Sequence, residues 1–158
     1  MTRGWYGQRH RHSLASKGVK TVNTNNHYEL VDTPDGLPIV SEHFEIEQAV
    51  YVPSTSEINV KISEEEMNKR VAEVRQVLSN LFGGYTSVEA IGGYYDKDNS
   101  LLVVESVVKV TSYATMEKYK ENSDKLIKYL ERKRKKWSQD TMGYELEGDL
   151  YYLGEVKW

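Results

Sequence analysis

The chain has no cysteine, only two phenylalanines, no apolar run long enough to cross a bilayer, and no acidic side chain before Glu29. The first of these absences excludes disulfides, thiolate metal sites and cysteine nucleophiles, and fits a reducing interior. A bilayer span needs about 18 to 20 consecutive apolar residues, and the N-terminus lacks the apolar core of a secretory signal. A soluble, cytoplasmic protein without a membrane partner is expected, or a virion protein if the source is viral. Gly83, Gly84, Gly92 and Gly93 lie around a strand-like segment, without the spacing or following helix of a phosphate or dinucleotide loop, and they read as turn or bulge glycines. No Ser, His and Asp arrangement stands out. His10 and His12 lack nearby carboxylates, and His27 and His43 show no ligand spacing, so neither a metal nor a cofactor is expected.

What the N-terminus does contain is positive charge. Arg3, Arg9, Arg11, Lys17 and Lys20 precede Glu29, although the whole chain carries a formal charge of -3. Such a one-sign block, rich in Gly, Ser and Asn, reads as an extended arm that meets something anionic. Trp5 and Tyr6, between Gly4 and Gly7, set aromatic faces beside Arg9 and Arg11, a combination that stacks on bases while contacting phosphates. Three readings stand for this arm: a solvated leader, a nucleic-acid contact through Arg3, Trp5, Tyr6, Arg9, Arg11, Lys17 and Lys20, or a strap onto a neighbouring subunit. Of the two binding modes, only the nucleic-acid one predicts a steep loss of affinity with salt. The opening RGWYG followed by RHSLASKG resembles leaders of small proteins from archaea and from their viruses and plasmids. That resemblance covers about the first twenty residues and implies origin more than activity.

With 158 residues, of which 39% are hydrophobic, the chain can support one core of roughly 100 residues plus an arm. Residues 1–27 read as the arm, 28–43 as a linker or small hairpin around the turn signal Pro34, Asp35 and Gly36, and 44–158 as the domain. Twelve tyrosines suit sheet faces and interfaces better than a deep core, because each hydroxyl needs a partner. The first core strand is expected either in the run from Phe44 to Val52 or in the alternation of Ile58, Val60 and Ile62. Ser63 and Glu66 form a capping box, and Met67, Val71, Val74, Leu78 and Leu81 give a helical stripe stopped by Gly83 and Gly84. Residues 85–95 and 101–113, separated by a polar turn, predict a hairpin. Thr115 caps a second helix with a stripe of Met116, Tyr119, Leu126, Leu130 and Trp137, which ends in the basic run Arg132 to Lys136. A closing strand or C-terminal hairpin follows.

The order β, α, β, β, α, β predicts an α+β, ferredoxin-like antiparallel sheet with both helices on one face. In the strand 101–113, Leu102, Val104, Val108 and Val110 face one way, and Leu101, Val103, Glu105, Val107 and Tyr113 the other. Two apolar faces imply a second covering layer, and another copy of the chain is the simplest one. A homo-oligomer with Leu101, Val103, Glu105 and Val107 at its interface is therefore expected. A carboxylate on that face needs a donor, and Tyr94, Tyr95 and Lys109 are the intrachain candidates.

Residues 63–156, with LFGGYTS, then GYY, VVES and LYYL, resemble a loosely defined group of small ferredoxin-like proteins of archaea, phages and mobile elements. The hairpin tyrosine followed by a glutamate resembles, more distantly, phage S-adenosylmethionine lyases, oligomeric enzymes whose sites lie between subunits. That resemblance implies catalytic roles for Tyr94 and Glu105, with S-adenosylmethionine bound as substrate. The substrate would be positioned for internal attack, releasing homoserine lactone and methylthioadenosine. Three functions are carried forward: a homo-oligomeric binding or assembly protein with a basic arm, a lyase-like enzyme with an intersubunit site, and a virion structural component.

Overall fold

The computed structural model describes residues 20–23, 28–32, 38–57 and 59–154. The chain divides into two compact units, residues 1–44 and 45–158. In the first unit, β1 (Lys20–Asn23), β2 (Tyr28–Asp32) and β3 (Pro38–Glu42) form an antiparallel sheet in that order. The β2–β3 pairing runs from Tyr28 opposite Glu42 to Asp32 opposite Pro38. Pro34, Asp35 and Gly36 lie outside the described residues, as do Arg3, Trp5, Tyr6, Arg9, Arg11 and Lys17 of the arm. Lys20 opens β1.

The second unit is built from β4 (Ile46–Pro53), α1 (Glu64–Phe82), β5 (Thr86–Asp96), β6 (Leu101–Ala114), α2 (Met116–Lys136), β7 (Thr141–Leu146) and β8 (Asp149–Gly154). Its five strands make one antiparallel sheet, ordered β5-β6-β4-β7-β8. This is the expected α+β arrangement, with β8 added as a fifth strand at one edge. Both helices pack on the face that carries Ile46, Val50 and Val52 of β4 and Val110 and Ala114 of β6. Val71, Val74, Leu78 and Phe82 of α1 and Leu126, Tyr129 and Leu130 of α2 complete the core, together with Met142 and Tyr144 of β7. Full burial of one such Val- or Leu-sized side chain is worth about 1.5 to 3 kcal/mol.

Local chemistry explains where α1 begins and ends. Ser63 Oγ accepts from the Glu66 amide at 3.1 Å, and Glu64, Glu65 and Glu66 occupy the first turn. Gly83, at φ 103°, ends the helix by donating its N–H to Ser79 O. Thr115 caps α2 in the same way, its hydroxyl accepting from the Lys118 amide at 3.2 Å. At the basic end of α2, Lys133 pairs with Glu73 and Arg134 with Glu131 at 2.7 Å, whereas Arg132, Lys135 and Lys136 are exposed.

The first core strand is β4. The alternation at Val60 and Ile62 forms no strand, and only an isolated bridge joins Thr55 to Lys61; Ile58 lies outside the described residues. Both edges of β4 and of β6 are already paired, so residues 54–62 have no interior strand to join. Gly92 and Gly93 form no bulge, because β5 pairs with β6 without a break from Thr86 to Asp96. Glu147 at φ 51° and Gly148 at φ 84° close the β7–β8 hairpin, as a tight primed turn requires.

Candidate functional site

The unbroken β5–β6 register decides which side chains meet on the sheet face away from the helices. Tyr94 stands opposite Val103, and Gly92 opposite Glu105. Residues two apart on a strand share a face, so Tyr94 is the diagonal neighbour of Glu105, at a spacing of about 7 to 8 Å between such positions. Having no side chain, Gly92 leaves the flank of Glu105 open.

The loop after β4 and the loop between α2 and β7 border a cleft of about 620 Å3 with this part of the hairpin. Its lining comprises Thr55, Glu57 and Asn59 from the first loop, Tyr94, Val103 and Glu105 from the hairpin, and Ser138, Gln139, Asp140 and Thr141 from the second loop and the start of β7. Three of these residues have left-handed backbone: Glu57 at φ 59°, Asn59 at φ 66° and Ser138 at φ 52°. Non-glycine residues persist there only when their surroundings hold them. Here the Glu57 N–H donates to Ser138 O at 3.2 Å, and the Ser56 N–H donates to Val60 O at 2.8 Å.

The cleft has one sign of charge. Among the described residues, Glu57, Glu105 and Asp140 line it, and no basic side chain does. Carboxylates beside an aromatic ring favour a cation, and the volume suits a small organic ligand. Thr55 Oγ1 lies 3.5 Å from Glu105, long for a hydrogen bond. Of the donors expected for Glu105, Tyr95 stands on the opposite face, across from Leu102, and Lys109 is engaged by Glu145 at 2.9 Å.

That second carboxylate anchors a separate cluster on the same open face. Tyr51 donates to Glu145 at 2.6 Å, and Lys109 sits over the Tyr51 ring, 5.6 Å from its centroid. Burial, then the hydrogen bond to Glu145, raises the pKa of Tyr51. Burial alone would lower Lys109, but Glu145 and Tyr51 outweigh it and raise its pKa.

Among the residues expected at an interface, Val103 and Val107 are already buried within the single chain, Glu105 is half-buried, and Leu101 is exposed. Sequence reasoning missed Thr55, Glu57, Asn59, Gln139 and Asp140. The polar trio Ser138, Gln139 and Asp140 between a basic helix end and a strand was the one available signal. A second cleft, of about 800 Å3 on the helix side, is lined in part by Met67, Arg75, Ser87 and Glu89, and contains neither Tyr94 nor Glu105. Among the described residues, no group of three or more His, Asp or Glu side chains is arranged to hold a metal ion, and no helix is long and apolar enough to cross a membrane.

No protein-family model and no curated protein matches the chain. Among solved structures, it is similar to a phage SAM lyase in complex with S-methyl-5′-thioadenosine, at 16% identity and a TM-score of 0.49, over 70% of this chain and 89% of that one. It is also similar to a phage SAM lyase in the apo state, at 14% identity and a TM-score of 0.47, over 73% of this chain and 93% of that one.

Proposed function

We propose that the 620 Å3 cleft binds a small organic cation and that the chain is an S-adenosylmethionine lyase-like enzyme. One observation carries this: Tyr94 and Glu105 converge on a cleft that, among the described residues, is lined by three carboxylates and no basic side chain. The sequence resemblance of the Tyr94 and Glu105 pair to phage S-adenosylmethionine lyases supplies the substrate. In the reaction, a carboxylate oxygen of the substrate attacks its own γ-carbon and closes a five-membered lactone. The bond from that carbon to sulfur breaks, and its electron pair leaves on sulfur as neutral methylthioadenosine. No proton, water or co-reactant is consumed.

Charge considerations assign the roles. The sulfonium loses its charge in the transition state, so a carboxylate held against it would stabilise the ground state more than the transition state. The substrate ammonium keeps its charge throughout, and a carboxylate can hold it without raising the barrier. Glu105 therefore takes the ammonium, and the Tyr94 ring packs against the rest of the ligand. Among the described residues no Lys, Arg or His lines the cleft, which leaves the attacking carboxylate un-neutralised and nucleophilic. Positioning then supplies the catalysis.

The test is to incubate the full chain with S-adenosylmethionine and follow products by mass spectrometry. Equal amounts of methylthioadenosine and homoserine lactone are expected, with Glu105→Gln and Tyr94→Ala each slowing their formation by about tenfold or more while the fold is kept. No methylthioadenosine from the folded wild-type protein would defeat the proposal.

An assembly role has its own supporting observation. Along the hairpin Ile91 is 79% exposed, Leu102 63% and Val104 60% on the helix-side face, and Leu101 is exposed on the other. Apolar surface on both faces of one hairpin fits self-association, and an intersubunit site accommodates both readings. A basic arm on nucleic acid, a virion component, and an archaeal or viral origin rest on the composition and resemblances of the sequence.

A further inference from the structure

We infer that Arg70 is the positioning residue of the cleft, acting from behind its wall through Thr55. Arg70 lies in the middle of α1, 4% exposed, and is not part of the cleft lining. Its Nη1 donates to Pro53 O at 3.1 Å and to Thr55 O at 2.8 Å, and its Nε donates to Glu66 at 3.3 Å. The guanidinium stands over the Trp137 ring, 4.9 Å from the centroid. Gln139 Nε2 then donates to the same Thr55 O at 2.8 Å and to Trp137 O at 3.0 Å. Thr55 is thus the junction: its carbonyl joins α1 to the loop before β7, and its hydroxyl is the group that approaches Glu105.

A structural account of Arg70 alone is incomplete. Burying a guanidinium is unfavourable unless its donors are met, and a Leu or Met here would continue the apolar stripe of α1. What the arginine adds is a planar fork that satisfies the last carbonyl of β4 and the Thr55 carbonyl of the loop at once. The Thr55 carbonyl lies two residues before Glu57 and four before Asn59, whose left-handed backbone needs an external hold. Without the fork, Gln139 alone holds the Thr55 carbonyl, and Thr55 is less firmly registered against Glu105.

The substrate arm of this inference rests on the lyase-like function, so the experiment includes a readout that does not. Full-length Arg70→Met, Thr55→Val and the double variant are compared with wild type by amide hydrogen exchange and by kcat and KM for S-adenosylmethionine. In Arg70→Met, exchange at the Glu57 amide should rise about tenfold or more relative to Leu126 and Leu130. Each single variant should lower kcat/KM about tenfold, and the double variant should lose no more than the worse single one, because both act through one junction. Arg70→Lys takes the place of Arg70→Met if the latter does not fold. Unchanged exchange at Glu57 in a folded variant overturns the inference, as do losses that multiply in the double variant. A wild-type protein inactive on S-adenosylmethionine sinks the lyase function instead, and the exchange comparison alone then decides the role of Arg70.

Discussion

Glu145 is where single-residue chemistry makes the sharpest demand outside the cleft. Tyr51 and Lys109 both bind their protons more tightly in the folded chain than in the unfolded one. A raised folded pKa contributes stability that is fully present below the unfolded value and is lost as pH rises through the folded value. For these two groups the loss begins above the ordinary values of 10.0 for Tyr51 and 10.5 for Lys109. Replacing Glu145 by Gln removes the negative charge that the two share. Urea unfolding of Glu145→Gln should therefore show a shallower fall in stability above pH 10 than wild type; parallel curves would show that the cluster is not coupled to folding. Sequence could not find this pairing. Lys109 is four residues from Glu105 and was expected to serve it, yet alternation along β6 leaves Lys109 between β4 and β5, where its register partner Tyr51 and the Glu145 of β7 reach it first.

At the scale of elements, helices were more legible than loops. The cap at Ser63, the acidic first turn and the Gly83 stop all act within a few residues, so the limits of α1 follow from near neighbours. Ser63→Ala should lower stability by about 1 kcal/mol, seen as a lower urea midpoint with an unchanged denaturant slope; an unchanged midpoint would mean that the cap is not needed. The β5–β6 hairpin was legible for the same reason, but its register was not, and only the pairing of Tyr94 with Val103 and Gly92 with Glu105 puts Tyr94 rather than Tyr95 on the Glu105 face. Residues 54–62 were not. Val60 and Ile62 alternate as a strand would, but strand formation needs an unpaired neighbour, and the sheet order leaves none in the interior. The segment folds instead as a cleft wall, with polar residues that no apolar pattern could assign.

For the whole molecule, the division into units at residues 44 and 45 separates the basic N-terminal region from the sheet that carries the cleft. Deleting residues 1–27 removes β1 but should leave the cooperative unfolding of the unit 45–158 intact, while any nucleic-acid binding that weakens steeply with salt should disappear. Fluorescence anisotropy with a labelled oligonucleotide across a salt series checks this; salt-sensitive binding retained by the truncated chain would place the contact elsewhere.

Charge segregation, helix limits, strand alternation and the βαββαβ order are near-neighbour properties, and the amino-acid order settles them directly. The cleft is of another kind. Thr55 reaches Glu105 across 50 positions and Gln139 across 84, and Arg70 meets Trp137 from a different helix. Only the folded chain brings those groups together, because sheet order and loop anchoring, rather than local preference, determine which distant segments share a surface.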